Sequence, residues 1–340
     1  MAQRHVPGVS VALISDGEPA RTYAYGTLAA GGPEPVTADT IFQVGSASKY
    51  VTAAGVLRLA GDGLLSLDED VRRYLTSWQP PRYEDAATPI TLRRLLSHTS
   101  GLDQPRKQGY QRGAAVPTVG DLLHGRSPSP YPPPRPMAAP GSAFHPADVN
   151  YAVIQQLLED LTGERFADLM ASEVFVPLGM TGSSFDQSYP ERAGRPVALG
   201  HDAAGRPADG GWAVRPDQAA AGLWTTARDL AVITADIRRG YLGEPGARLT
   251  PDLARQMLTA QHPGSCYGLG AIVDDGSPED VGFGHAGELA GYRALVITRL
   301  NAGTGAVVLA NSAGGKDVIA LLAAHVGRPE PAGQPDGATR

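Results

Sequence analysis

Ser46-Ala47-Ser48-Lys49 sets a hydroxyl and an amine three residues apart. On a helix that spacing puts both side chains on one face with Cβ atoms about 5–6 Å apart, so the amine reaches the hydroxyl. A serine attacks a carbonyl only when a base takes its proton, and a lysine serves as that base only where desolvation or neighbouring cations favour its neutral form. Residues 46–60 carry no charges besides Lys49 and Arg58, so the helix they predict is buried and its amine desolvated. The first N–H groups of such a helix lack intrahelical acceptors and can support a developing oxyanion. Taken alone the pattern is weak, because Ser-x-x-Lys occurs by chance in many proteins and a plain helix start with Ser46 as its cap is the commoner meaning.

Other chemistries find less support. A single cysteine, Cys266, excludes an internal disulfide and a cysteine metal cluster, and reads as a small buried hydrophobe beside a strand. The histidines His5, His98, His124, His201, His262 and His325 show no close pair at helical or hairpin spacing, so neither a metal site nor a cofactor is expected. Lys plus Arg (29) against Asp plus Glu (35) gives a net charge of -6. Both signs are scattered, so no clustered basic face for nucleic acid is expected. The longest apolar runs are a few residues, against about 18 for a membrane span. Residues 1–14 hold no apolar stretch ending in a small-residue cleavage site, which predicts a cytoplasmic protein acting on small molecules rather than a cell-wall peptidase.

The elements that must position these residues follow from turn and capping signals. Asp16-Gly17 separates strand-like runs Val9–Ile14 and Arg21–Tyr25, a β-hairpin. Gly61 and Gly63 end the buried helix, and Ser66-Leu67-Asp68-Glu69 has capping-box spacing for a short helix. Thr91 caps Leu92–Ser97, Tyr151–Leu161 has helical periodicity, and Thr226 caps a helix through Ile237. Strand candidates are Tyr267–Val273, Gly282–His285, Tyr292–Thr298 and Ala306–Ala310, followed by a helix Lys316–His325. Residues 104–140 read as an irregular functional rim. With 340 residues and 42% apolar side chains, two lobes are expected. Residues 1–66 and 210–340 form a mixed α/β lobe and 67–209 a mainly helical one, with the ligand cleft between them.

The chain resembles the serine β-lactamase and penicillin-binding-protein family, especially its class C-like esterase and transacylase branch. The resemblance is carried by Val6-Pro7-Gly8-Val9, Phe42-Gln43-Val44-Gly45-Ser46-Ala47-Ser48-Lys49 and Gly63-Leu64-Leu65-Ser66-Leu67-Asp68. It continues through Leu95-Leu96-Ser97-His98-Thr99-Ser100-Gly101-Leu102, Pro140-Gly141, Pro177-Leu178-Gly179-Met180, Ala221–Leu230 and Gly284-His285-Ala286-Gly287. It implies an α+β fold of the β-lactamase/transpeptidase type, an antiparallel sheet flanked by helices with an inserted mainly helical lobe. It also implies that Ser46 attacks, Lys49 takes or relays the proton, and an acyl-enzyme is passed to a second nucleophile. His285-Ala286-Gly287 falls at the family's third motif, where Gly287 lets substrate approach the strand and the Glu288 N–H joins that of Ser46 as the oxyanion hole.

The family's second motif is Tyr, any residue, then Asn or Asp. Here it reads Pro146-Ala147-Asp148. Asp148 fits, whereas Pro146 has no hydroxyl to move protons. His145 has suitable chemistry next door, while Tyr110, Tyr131 and Tyr151 are nearby in sequence and favour packing or surface roles. His98 is implied to pack near the cleft, and Arg293 is taken as outward-facing. The expected activity is acyl transfer from a small-molecule or peptide-like ester or amide to an amine or alcohol, or to water. Hydrolysis should be slower than transfer to an amine. The alternative is a degenerate relative that binds a ligand or partner without turnover.

Overall fold

At the turn between the first two strands, Asp16 and Gly17 both adopt positive φ (52° and 79°), the geometry that lets two residues reverse a twisted ribbon. The computed structural model describes residues 5–82, 88–105, 109–274 and 280–326, residues 322–326 by backbone only. Residues 1–4, 275–279 and 327–340 of the expected mixed lobe, residues 83–87 of the helical lobe, residues 106–108 of the rim segment and the His325 side chain lie outside it.

Both ends of the chain build one six-stranded antiparallel sheet. Its strands are β1 (Gly8–Ser15), β2 (Glu18–Gly26), β3 (Ile272–Asp274), β4 (Gly282–Leu289), β5 (Tyr292–Arg299) and β6 (Gly305–Ala310), in the order β2-β1-β6-β5-β4-β3. Alternation along β1 separates the two faces. Val9 and Val11 join Val308 and Ala310 beneath Val318 and Ile319 of the last helix, Lys316–Val326. Ala12 and Ile14 turn instead to the main core with Val307 and Leu309. The architecture is α+β, an antiparallel sheet flanked by helices, as the resemblance implies.

Five helices matter to the site: α1 (Ala47–Gly61), α2 (Leu92–Leu96), α3 (Val149–Thr162), α4 (Gln218–Ala221) and α5 (Ala227–Leu242). α1 is buried along most of its length, as its nearly charge-free sequence requires, and packs against α4, β4 and β5. Thr91 and Thr226 cap α2 and α5 as expected, each accepting a backbone N–H three residues on. α3 packs on α2 and α4, bringing its amino terminus to that of α1.

Several local expectations are corrected. Ser66–Glu69 starts no helix: Ser66 Oγ accepts the Asp68 N–H (3.3 Å), and Asp70 instead caps a three-residue 3-10 turn, Val71–Arg73. Tyr267–Val273 is mostly not strand. Gly270 has φ +74°, Gly268 N–H donates to Ala271 O (2.8 Å) and Leu269 N–H to Met257 O (3.0 Å), so the segment folds into a turn before β3. The segment 104–140 is less irregular than expected, holding a helix Val119–His124 closed by a Thr118–Asp121 capping box.

Candidate active site

Phe42-Gln43 pairs with Trp224-Thr225, and the Val44 N–H donates to Leu223 O (3.2 Å), fixing the approach of the chain to α1. Gly45 then turns with φ +53°, where a Cβ would lie 2.8 Å from the Glu288 carbonyl oxygen. Ser46 follows with helical dihedrals and makes no capping bond; its Oγ accepts from Lys49 Nζ at 3.0 Å. The helix-cap alternative for this hydroxyl is therefore removed. Ser48, the motif's second hydroxyl, accepts the Leu223 N–H (3.0 Å) and anchors α1.

Lys49 is 3% exposed, and its Nζ also donates to Asp148 Oδ1 (2.7 Å) and Ala220 O (2.9 Å). Three acceptors match the three protons of an ammonium. The amine expected in apolar surroundings is thus buried but paired. Asp148 leads into α3 without capping it, and its other oxygen is 3.7 Å from Arg215 Nη2, which in turn meets Asp217 at 2.9 Å. Alternating charges hold this wall of the site rigidly, because removing any one leaves a buried charge uncompensated.

The opposite wall is neutral. His285 on β4 has Nδ1 2.6 Å from Ala286 O and Nε2 2.9 Å from the Tyr267 hydroxyl. A carbonyl oxygen only accepts, so the ring proton is on Nδ1 and Tyr267 donates its O–H to Nε2. Burial, reinforced by the Lys49 charge, pushes the His285 imidazole from 6.5 down to about 4. His98 is buried beside it, with ring centroids 5.1 Å from Tyr267 and 5.4 Å from Tyr151. Its Nδ1 accepts from Asn150 Nδ2 (2.9 Å) and from the Ala147 N–H (3.3 Å). Burial, then the Lys49 charge, holds it well below the ordinary imidazole range.

Gly287 lines the cavity and also has a packing role that the sequence did not reveal. A Cβ there would overlap the Val44 carbonyl oxygen and lie 3.2 Å from Ala47 N, so its missing side chain admits the loop before α1. Together Gly45 and Gly287 bring the Ser46 and Glu288 backbones to one place. Glu288 extends its own side chain into solvent, paired with Arg293 at 2.9 Å. Arg293 is not outward-facing: it borders the cavity at 17% side-chain exposure and donates to Leu289 O and Tyr292 O.

The structure brings Ser46, Lys49, Asp148, His285, Gly287 and Glu288 around one cavity of about 710 Å³. It does not bring His145, whose Nε2 turns to Asp103 Oδ1 at 3.3 Å outside that lining. Tyr110 and Tyr131 do not line it either, and Tyr151 is buried with its hydroxyl on Leu96 O (3.0 Å). Cys266, expected to be buried, is exposed at the cavity mouth. Sequence reasoning missed Tyr267, Asn150 and the Ala220 carbonyl. A polar-tipped aromatic before Gly268-Leu269-Gly270 and a lone Asn in an apolar helix were the available signals for the first two. Among the described residues no group of His, Cys, Asp and Glu could hold a metal, and no helix is long and apolar enough to cross a membrane.

A family model described as Beta-lactamase matches residues 1–326. The chain belongs to the beta-lactamase family. Among its relatives, penicillin-binding protein 4 of Amycolatopsis lactamdurans is 32% identical over 58% of this chain and 49% of its own length. The chain thus spans about half of that relative. Esterase EstB of Burkholderia gladioli is 28% identical over 92% of this chain and 88% of its own. The octameric penicillin-binding protein homologue from Pyrococcus abyssi shares the fold, with TM-score 0.75 and 24% identity over 95% of this chain and 74% of that one. In this beta-lactamase family member Pro146, where the resemblance implies the tyrosine of the second motif, lines the cavity with Ala147 and Asp148.

Proposed function

We propose that this protein is a serine acyl-transfer enzyme that forms an acyl-enzyme on Ser46 from an ester or amide and passes the acyl group to an amine or alcohol, or to water. The observation that carries this reading is the Lys49 Nζ hydrogen bond to a Ser46 Oγ that caps nothing. Lys49 takes or relays the serine proton as Oγ attacks, and its bond to Asp148 holds the amine in line. The N–H groups of Ser46 and Glu288 receive the oxyanion, in a site whose close backbone approach depends on two glycines. His285 lines the acceptor side. The cleft lies between a mixed lobe of residues 1–66 and 210–340 and a helical lobe of residues 67–209.

The cavity volume is within the roughly 300–1,000 Å³ range of small-molecule sites, which supports a small-molecule or short peptide-like donor. Similarity to an esterase over nearly the whole chain supports ester chemistry. Transfer is favoured over hydrolysis because Pro146 provides no hydroxyl at the family's position, and a neutral amine depends less than water on a base. The test is turnover of an activated ester with and without an added amine. Faster release of the alcohol leaving group and an amide product are expected. Ligand binding with no turnover in either condition would leave the non-catalytic alternative.

A further inference from the structure

The hydroxyl missing at Pro146 leaves open which cavity group handles the acceptor's proton. His98 has its Nδ1 occupied by Asn150 and the Ala147 N–H, and His145 is turned onto Asp103. Tyr267 remains. Its ring packs 5.7 Å from Phe144, on the segment that carries Pro146, and its O–H is committed to His285 Nε2 at 2.9 Å. The Tyr151 hydroxyl lies alongside, donating to Leu96 O. Gly270, with φ +74°, is the turn that folds this segment against α1 and Tyr151.

We propose that Tyr267 supplies, from the opposite wall, the hydroxyl that Pro146 lacks, and that Tyr267 and His285 form the proton relay of deacylation. This rests on the acyl-enzyme reading above. As an acceptor O–H attacks the acyl carbon, the new C–O bond forms and the carbonyl π pair moves to the oxyanion. The acceptor proton passes to the Tyr267 oxygen while the Tyr267 proton passes to His285 Nε2, giving an imidazolium. On collapse the bond from the acyl carbon to Ser46 Oγ breaks, its electron pair stays on Oγ, and the Lys49 ammonium 3.0 Å away protonates it. The imidazolium then returns its proton through Tyr267 and solvent to Lys49, restoring the ammonium that in the next acylation protonates the leaving group as it takes the Ser46 proton. A neutral amine attacks first and loses its proton later, so it depends less on the relay.

The experiment follows the acyl-enzyme of p-nitrophenyl acetate by intact mass in the wild type and in Tyr267→Phe. Acylation should change by less than about threefold, whereas hydrolytic deacylation should slow about 10²-fold, the scale of a lost acid–base group. Hydroxylamine should discharge both acyl-enzymes at rates within about fivefold, because it bypasses the base. Tyr267→Phe/Pro146→Tyr should regain hydrolysis. Equal acyl-enzyme lifetimes in water, or an equal loss of every step including release to hydroxylamine, would overturn the relay while leaving the acyl-enzyme intact. No Ser46 adduct in the wild type would overturn the acyl-enzyme reading and the relay with it. Should Tyr267→Phe fail to fold, the wild type provides the second measurement. Deacylation in mixed H₂O and D₂O should depend quadratically on deuterium fraction, for two protons in flight, and a linear dependence would overturn the proposal.

Discussion

The two walls of the cavity use opposite electrostatic strategies. On the helical side Lys49, Asp148, Arg215 and Asp217 alternate in sign, and the Lys49 Nζ meets three acceptors. On the other wall His285 of β4, Tyr267 of the turn before β3 and His98 after α2 are buried and held together by neutral hydrogen bonds and ring packing. The contrast shows how one site can keep a charge fixed beside its nucleophile and still present an unprotonated imidazole across the same cavity. The Lys49 charge acts across the cavity, helping to keep both histidines neutral.

The largest effects should come from the charged wall. Ser46→Ala should abolish turnover with little loss of stability, since the hydroxyl caps nothing. Lys49→Ala should lower it by about 10⁴-fold or more, non-additively with Ser46→Ala, because the two residues work as one unit. Additive losses in steady-state kinetics would separate them. Asp148→Ala should destabilise by about 3–5 kcal/mol through the uncompensated charge it leaves, whereas Asp148→Asn, which keeps an acceptor for Lys49, should lose less. Denaturant midpoints of the two variants test that ordering.

The seam between the walls comes next. Gly287→Ala drives a Cβ into the Val44 carbonyl, so kcat/KM for an activated ester should fall about 10²-fold through misplacement of the Ser46 and Glu288 backbones. A value near wild type would remove the close approach from the account. The smallest effect is on stability and belongs to His285 of the neutral wall. The unfolded His285 side chain takes a proton as pH falls through 6.5, the folded one only near 4, so stability is full above 6.5 and declines between these values. His285 should account for about 2 kcal/mol of loss between pH 7 and pH 5. His285→Asn should flatten that part of the profile, and an unchanged slope in the variant would place the acid sensitivity elsewhere.

The parts legible in the sequence were those ruled by local physics. A helix with Lys49 and Arg58 as its sole charges must be buried, Asp16-Gly17 must turn, and Thr91 and Thr226 must cap. Ser46 and Lys49 were legible because helical spacing joins them and the motifs around them resemble a known family. What depended on distant backbone was not. Tyr267 looked like strand until Gly268 and Gly270 were seen lying against Met257 and Tyr151, and the packing of Gly287 on the Val44 carbonyl could not be read from local sequence. Arg293 looked exposed because alternation on β5 does not reveal a cavity on its partly open face. His145 was drawn to the site by adjacency in sequence, yet Asp103 holds its ring elsewhere.

The central claim is that Ser46 is the nucleophile, and covalent labelling tests it most directly. The wild type, treated with a fluorophosphonate and examined by intact mass and peptide mapping, should gain one adduct, on Ser46, and Ser46→Ala should gain none. A wild type that stays unlabelled while turning over an activated ester, or a Ser46→Ala variant labelled equally, would contradict it.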